Sequence, residues 1–164
     1  MSELKSRVAL VSGGSRGIGR AIALGLAKAG AAVAVNYRER AEEAASVVED
    51  IHRSGGRAVA VGADVSIASD VQRMISRAEE HLGPIDILVN NAGIAVMRGL
   101  EDITEEDFDH AVAVNLKSAF LCTQAVLPGM RARTLGPDRQ YLLDWSPRRR
   151  RLGQRRLRRR QGRT

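Results

Sequence analysis

Residues 7–19 read RVALVSGGSRGIG, an apolar run (7–12) breaking into SGGSRGIG (12–19), after which Ile18, Ile22 and Leu26 recur every four residues. The run is nearly continuously apolar, as a strand covered on both faces must be, and the spacing after it is that of a helix. A turn from strand to helix leaves unpaired N–H groups at the helix start and concentrates partial positive charge there. A pyrophosphate can lie against that backbone wherever no Cβ obstructs it. Gly13, Gly17 and Gly19 provide the clearance, and Ser15, Arg16 and Ile18 complete the candidate cofactor turn. The spacing is G-x-x-x-G-x-G and differs from the more common G-x-G-x-x-G. A bare glycine cluster serves equally well as a tight structural turn; the strand before it and the helix after it make this one a candidate dinucleotide site.

Outward from the turn, short β-branched runs alternate with amphipathic segments as far as Met130, the pattern of βαβ units. Strands are expected at 7–12, 32–37, 57–63 and 85–90. Between them Ala41, Ala44, Ala45, Val48 and Ile51 share one helical face, and Val71, Met74, Ile75, Ala78 and Leu82 another. Thr104 with Asp107 has the form of a helix-starting cap, and Val112, Leu116, Ala119, Phe120, Thr123 and Leu127 form an apolar stripe on a last helix. The expected fold class is α/β, a Rossmann-type doubly wound parallel sheet that is incomplete: four strands and their helices over residues 1–130, then a disordered basic tail over 131–164.

Many dinucleotide sites place an acid at the end of the second strand to hold the ribose hydroxyls. Here that position reads Asn36-Tyr37-Arg38. An acid repels a 2′-phosphate, whereas Arg38 with Arg16 can bond to one, so NADP is expected in preference to NAD. The structural alternative for Arg38 is an exposed arginine paired with Glu39 and Glu42.

Charge divides the chain sharply. Residues 1–130 hold 3 Lys and 10 Arg against 17 acidic residues, a balance of −4, while residues 131–164 hold 13 Arg, no Lys and 2 Asp, a balance of +11. The single Cys122 excludes an intramolecular disulfide and fits a buried thiol in a reducing compartment. No apolar stretch approaches the roughly 18 residues of a membrane span, so the expectation is a cytoplasmic protein with no membrane partner.

With SGGSRGIG after the first strand, ADV (63–65) after the third, NNAG (90–93) after the fourth and Asn115 in AVNLKSAF, the chain resembles the short-chain dehydrogenase/reductase family. The likeness covers residues 5 to 133 and is greatest to the beta-ketoacyl-acyl carrier protein reductases and the sugar or polyol dehydrogenases. It implies that Asp64 and Val65 contact the adenine and that Asn90, Ala92 and Gly93 lie against the cofactor ribose. It also implies that Asn115 holds a water of a proton relay, that the substrate is a carbonyl or alcohol, and that the protein is a homo-oligomer. Each position has a bland counterpart: Asp64 satisfying turn amides, Asn90 to Gly93 ending a strand, Asn115 placed mid-helix against its propensity.

In the family a Tyr is the acid/base, a Lys four residues later on the same helical face acidifies it, and a Ser polarises the substrate oxygen. Here the tyrosines are Tyr37 and Tyr141, and no Lys follows Lys117. The genetic code accounts for the loss. With codon boundaries moved one nucleotide downstream from Leu135, the overlaps permit Trp-Gly-Arg-Ile-Val-Asn-Ile-Ser-Ser-x-Gly, an apolar fifth strand ending in serines. Farther on, Leu157 before Arg158 permits Tyr, and Gln161 before Gly162 allows only Lys or Arg, which restores Tyr-x-x-x-Lys. Shifted arginine codons become Ala, Gly, Val or Asp, as an Arg-rich, Lys-free tail from a GC-rich gene requires. The expectation is a frameshift near Arg133 and a chain without turnover. The competing reading is a nucleic-acid-binding protein acting through the basic tail, with Tyr141 and Trp145 stacking on bases; even a frameshifted tail would bind polyanions nonspecifically.

Overall fold

The structure is a computed structural model and describes residues 4–133; the basic segment, from residue 134 onward, lies outside the described residues. Four strands, β1 (Val8–Val11), β2 (Ala32–Tyr37), β3 (Ala58–Gly62) and β4 (Ile87–Val89), form one parallel sheet in the order β3-β2-β1-β4. They alternate with α1 (Gly17–Lys28), α2 (Ala41–Arg53) and α3 (Ala68–Leu82). After β4 come a 3-10 turn (Leu100–Asp102), α4 (Glu105–Val112), a π-helical turn (Ala113–Lys117) and α5 (Ser118–Arg133). The sequence thus yields the incomplete Rossmann-type α/β sheet it implied.

The alternation of side chains across a strand explains why β1 and residues 32–35 of β2 are apolar throughout. Val8, Leu10, Ala32 and Ala34 face Val71, Met74, Ile75 and Ala78 of α3 and Cys122 and Val126 of α5. Their neighbours Ala9, Val11, Val33 and Val35 face Ala23 of α1 and Ala44, Val47 and Ile51 of α2. Two cores therefore sandwich the sheet.

The expected faces hold for α3, whose five named residues are all buried, and shift elsewhere. In α2 the buried line is Ala44, Val47 and Ile51, while Ala41 and Ala45 are exposed. On the last helix Val114, Ser118, Cys122 and Val126 face the core, whereas Phe108, Val112, Leu116 and Phe120 stand exposed. The apolar residues of this helix lie on both sides, so periodicity alone picked the wrong one. Thr104 caps α4 as expected: its hydroxyl accepts from the Asp107 amide, and the Asp107 carboxylate accepts from the Thr104 amide. The bond from that backbone amide, followed by the Thr104 hydroxyl and Arg98, holds the Asp107 carboxyl below its ordinary pKa.

The expectation that no segment has the length of a membrane span needs correcting. Residues Glu105–Arg133 form one continuous helix of 29 residues whose richest window has a mean hydropathy of 1.2. Its buried face is a layer of the fold, packed on α3 and β4.

Cys122 is fully buried, and burial pushes its thiol up to about 11. Since the thiolate is the reactive form, the native chain at pH 7.5 is expected to resist iodoacetamide. Mass spectrometry should find one alkyl group per chain only after unfolding.

Candidate dinucleotide-binding site

At the C-terminal ends of β1, β2 and β3 lies a cleft of about 430 Å³. The structure brings most of the residues expected to touch a cofactor to its walls: Gly13, Ser15, Arg16, Gly17, Ile18 and Gly19 on one side, Arg38, Asp64 and Val65 on another, and Ala92 and Gly93 on the third. Asn90 and Asn115 are not on these walls. Asn36, Tyr37 and Asn91, which the sequence motifs contain without a role, also line the cleft, as do Arg40, Ile94 and Val114.

The start of α1 differs from those of α2, α3 and α4. α2 carries Glu42 and Glu43 in its first turn, α3 carries Asp70, and α4 carries Glu105, Glu106 and Asp107. α1 has no acidic residue there and no side-chain cap. Its orphan N–H groups and the positive end of its dipole therefore face the cleft unneutralised, the arrangement that receives a phosphate. Gly13 and Gly17 take φ +62° and +52°, the left-handed conformation that lets the turn double back beneath the helix.

Positive charge gathers at the far end of the cleft. Arg38 reaches Glu39 at 2.7 Å and Asp64 at 3.9 Å, and Arg40 pairs with Glu43 at 2.7 Å. Arg38 is thus partly engaged by the neighbouring acid, as its structural alternative required, though with Glu39 and not Glu42. The Arg16 side chain makes no hydrogen bond or ion pair with the described residues, although its main-chain carbonyl accepts from the Arg20 amide at 3.1 Å. Asp64 accepts from the Ser66 hydroxyl at 2.6 Å and the Ser66 amide at 2.9 Å. Partial burial opposes its charge, but these bonds and the nearby Arg38 outweigh it and hold the carboxyl below its ordinary value. Asp64 therefore keeps both roles open: it closes the turn and it lines the cleft as an anion.

The two asparagines after β4 divide their work in a way that their adjacency in sequence conceals. The Asn90 amide turns away to Thr123 at 3.2 Å. Asn91 turns inward and donates to the Ser12 and Gly13 carbonyls at 2.9 and 3.0 Å, while Ser12 Oγ accepts from the Asn91 and Ala92 amides. The glycine turn is thereby tied to the segment after β4. Successive residues of an extended segment point to opposite sides, and that alternation, counted from β4, is the signal that could have separated Asn91 from Asn90.

Asn115 sits in the π-helical turn and grips the main chain of Ile94, accepting from its N–H at 2.8 Å and donating to its carbonyl at 2.9 Å. The clamp explains an asparagine mid-helix and the glycine before its partner: a Cβ at Gly93 would stand 3.0 Å from Asn115 Oδ1. π-turns of this kind recur at functional sites.

A strand-flanked cleft, a phosphate-ready helix start and a clamped segment after β4 also identify the relatives of this chain. The family model for short chain dehydrogenases matches residues 7–137. The 3-oxoacyl-[acyl-carrier-protein] reductase FabG of Staphylococcus epidermidis is 42% identical over 125 residues, which are 76% of this chain and 51% of that protein. A dehydrogenase/reductase from Sinorhizobium meliloti superposes with a TM-score of 0.74 at 46% identity, over 76% of this chain and 50% of the other. A short chain dehydrogenase from Burkholderia cenocepacia, solved in complex with NADP, does so with a TM-score of 0.74 at 44% identity, over 76% and 51%. The chain spans about half the length of the relatives it matches, and the family match over residues 7–137 shows that it belongs to the short-chain dehydrogenase family.

Proposed function

We propose that this chain is the NADP-binding half of an oxidoreductase acting on a 3-oxoacyl or polyol-like carbonyl or alcohol, and that it does not turn over by itself. The observation that carries the binding half is the start of α1, open to an anion at the end of a cleft that Arg16 and Arg38 make basic. The pyrophosphate lies on that turn. Arg16 and Arg38 hold the 2′-phosphate, Arg38 exchanging Glu39 for it, while Asp64 and Val65 border the adenine and Ala92 and Gly93 the ribose. A bound nicotinamide supplies or accepts the hydride. Asn115 contributes position, fixing Ile94 beside the place where that ring would sit. Asn90, off the cleft walls and bonded to Thr123, is left out of the ribose contact.

The missing turnover follows from sequence: neither Tyr37 nor Tyr141 has a Lys four residues later, and the phase-shifted tail codons permit the family's serines, Tyr and Lys. A frameshift near Arg133 is the proposed cause, in a cytoplasmic protein whose homologous assembly is a homo-oligomer. The alternative, nucleic-acid binding through the arginines of the tail, predicts sequence or structure preference that survives moderate salt; indiscriminate binding that vanishes with salt counts against it.

Titration of the purified chain with NADPH, followed by the enhancement of nucleotide fluorescence, should show saturable binding, tighter than for NADH, with no oxidation of NADPH by ketones. Arg38→Glu should weaken NADPH about tenfold, the loss of one charge-assisted contact, and leave NADH nearly unchanged. Equal affinities in the wild type, or an equal loss for both nucleotides in Arg38→Glu, would remove the 2′-phosphate assignment.

A further inference from the structure

One buried polar side chain in the cleft wall carries none of the roles the motifs assign. Asn36, at the end of β2, is only 2% exposed, and its neighbours on the strand are apolar. Burying a carboxamide is costly unless its donors and acceptor are satisfied, and of the bonds that satisfy this one, those to Gly13, Tyr37 and Ala63 lead to walls of the cofactor cleft.

β1 pairs with β2 only as far as Val11 and Val35, so at Asn36 one flank of β2 has no strand beside it. The glycine turn occupies that flank. Gly14 N–H donates to the Asn36 main-chain carbonyl at 2.8 Å, and Gly13 N–H donates to Asn36 Oδ1 at 3.1 Å. The residue therefore offers two acceptors to two consecutive amides and continues the ladder that β1 has left. On the other side Asn36 Nδ2 donates to the Val61 and Ala63 carbonyls, each at 3.2 Å, with Tyr37 O a further contact at 3.3 Å. Ala63 immediately precedes Asp64 and Val65. One carboxamide thus joins the turn that would hold the pyrophosphate to the turn that would border the adenine.

We propose that Asn36 is a positioning residue for the dinucleotide, its carboxamide holding the Gly13–Gly14 turn and the Ala63–Val65 turn at the fixed separation that one rigid ligand must span. The inference rests on the dinucleotide reading of the cleft. It needs an acceptor on one side of the residue and donors on the other, which among side chains of this size only Asn provides. A carboxylate keeps the acceptor for Gly13 but sets an anionic oxygen against two or three carbonyl oxygens. This also explains why the strand end carries no acid at residue 36 itself.

The test is direct binding to the full chain. Asn36→Asp is expected to weaken NADPH and NADH together, each about tenfold, because the geometry shared by both nucleotides is lost; Arg38→Glu by contrast discriminates between them. Val33→Ala, a loss of packing on the same strand away from the turns, serves as the structural control and should leave both affinities within twofold once corrected for the folded fraction. Hydrogen exchange at the Gly13 amide should quicken in Asn36→Asp and not in Val33→Ala. Affinities within twofold of wild type in Asn36→Asp, or equal losses in it and the control, overturn the proposal. Should Asn36→Asp fail to fold, Asn36→Ser, uncharged and retaining a single hydroxyl, is expected to lose three- to fivefold, and unchanged binding there overturns it too. A wild-type chain that binds neither nucleotide overturns the dinucleotide reading and this inference with it, whereas wild-type binding with an indifferent Asn36→Asp removes this inference alone.

Discussion

A single methyl group at Gly19 is expected to cost the chain its nucleotide site. A Cβ there would overlap the Gly13 carbonyl oxygen and lie 2.5 Å from Asn91 Nδ2. Neither neighbour can yield cheaply. The carbonyl is main chain in a turn whose φ is already +62°, and the Asn91 amide is held by its two bonds to Ser12 O and Gly13 O. Overpacking of this kind costs about 1–3 kcal/mol, and here the strain is relieved only by moving the turn that would carry the pyrophosphate. Gly19→Ala should therefore lower NADPH affinity by about a hundredfold, converting most of that strain into lost binding, and should also lower the melting temperature. The comparison within the same helix is Gly25→Ala. Nothing lies within 4 Å of a Cβ at Gly25, so the substitution should stabilise the chain by about 0.5–1 kcal/mol through helix propensity and leave binding unchanged. Fluorescence titration and thermal melts of the two variants check both halves. Wild-type affinity in Gly19→Ala would mean that close packing of turn, helix and Asn91 does not shape the site.

The same contrast shows what the sequence made legible. Strands, helices and their order could be read because each residue of an inner parallel strand is buried on one side or the other, which leaves an apolar signal along β1 and over residues 32–35 of β2. The glycine turn could be read because its context was local, strand before and helix after. Asn36 and Asn91 could not be singled out, since their partners are main-chain atoms 23 to 79 residues away and a carboxamide looks the same whether it faces water or a carbonyl. The orientation of the last helix failed for a different reason. Phe108, Val112, Leu116 and Phe120 form as regular a stripe as the buried Val114, Cys122 and Val126, and spacing does not say which stripe meets the sheet. Only the position of α3, which packs on the second stripe, decides it. Asn115 was legible as an anomaly in a helix, but its cause, the clamp on Ile94, required the fold.

Moving the reading phase by one nucleotide from the Leu135 codon should produce the largest change of all, from no turnover to turnover. Two observations, one from the chemistry and one from the fold, converge on it. The shifted codons permit the apolar run ending in serines and then Tyr-x-x-x-Lys, the groups that would polarise a carbonyl and deliver its proton. Independently, β4 pairs with β1 alone among the described residues, and its Ile87, Leu88 and Val89 are only half-buried. Such an edge invites pairing with another chain, and a fifth strand in the shifted phase would cover it. The phase-shifted gene, extended to its next stop codon, is thus expected to yield a protein with less tendency to aggregate and with NADPH-dependent reduction of 3-oxoacyl thioesters or simple ketones. Replacing the restored Tyr by Phe should then cut the rate about 10²- to 10⁴-fold, the scale of general acid catalysis, without a matching loss of NADPH affinity. Sequencing of the codons for Ala132 to Thr164 comes first, because it fixes whether those codons hold the required bases. A coding sequence that cannot spell the strand and the Tyr-x-x-x-Lys in any phase would separate the two observations and leave the edge of β4 without its proposed neighbour.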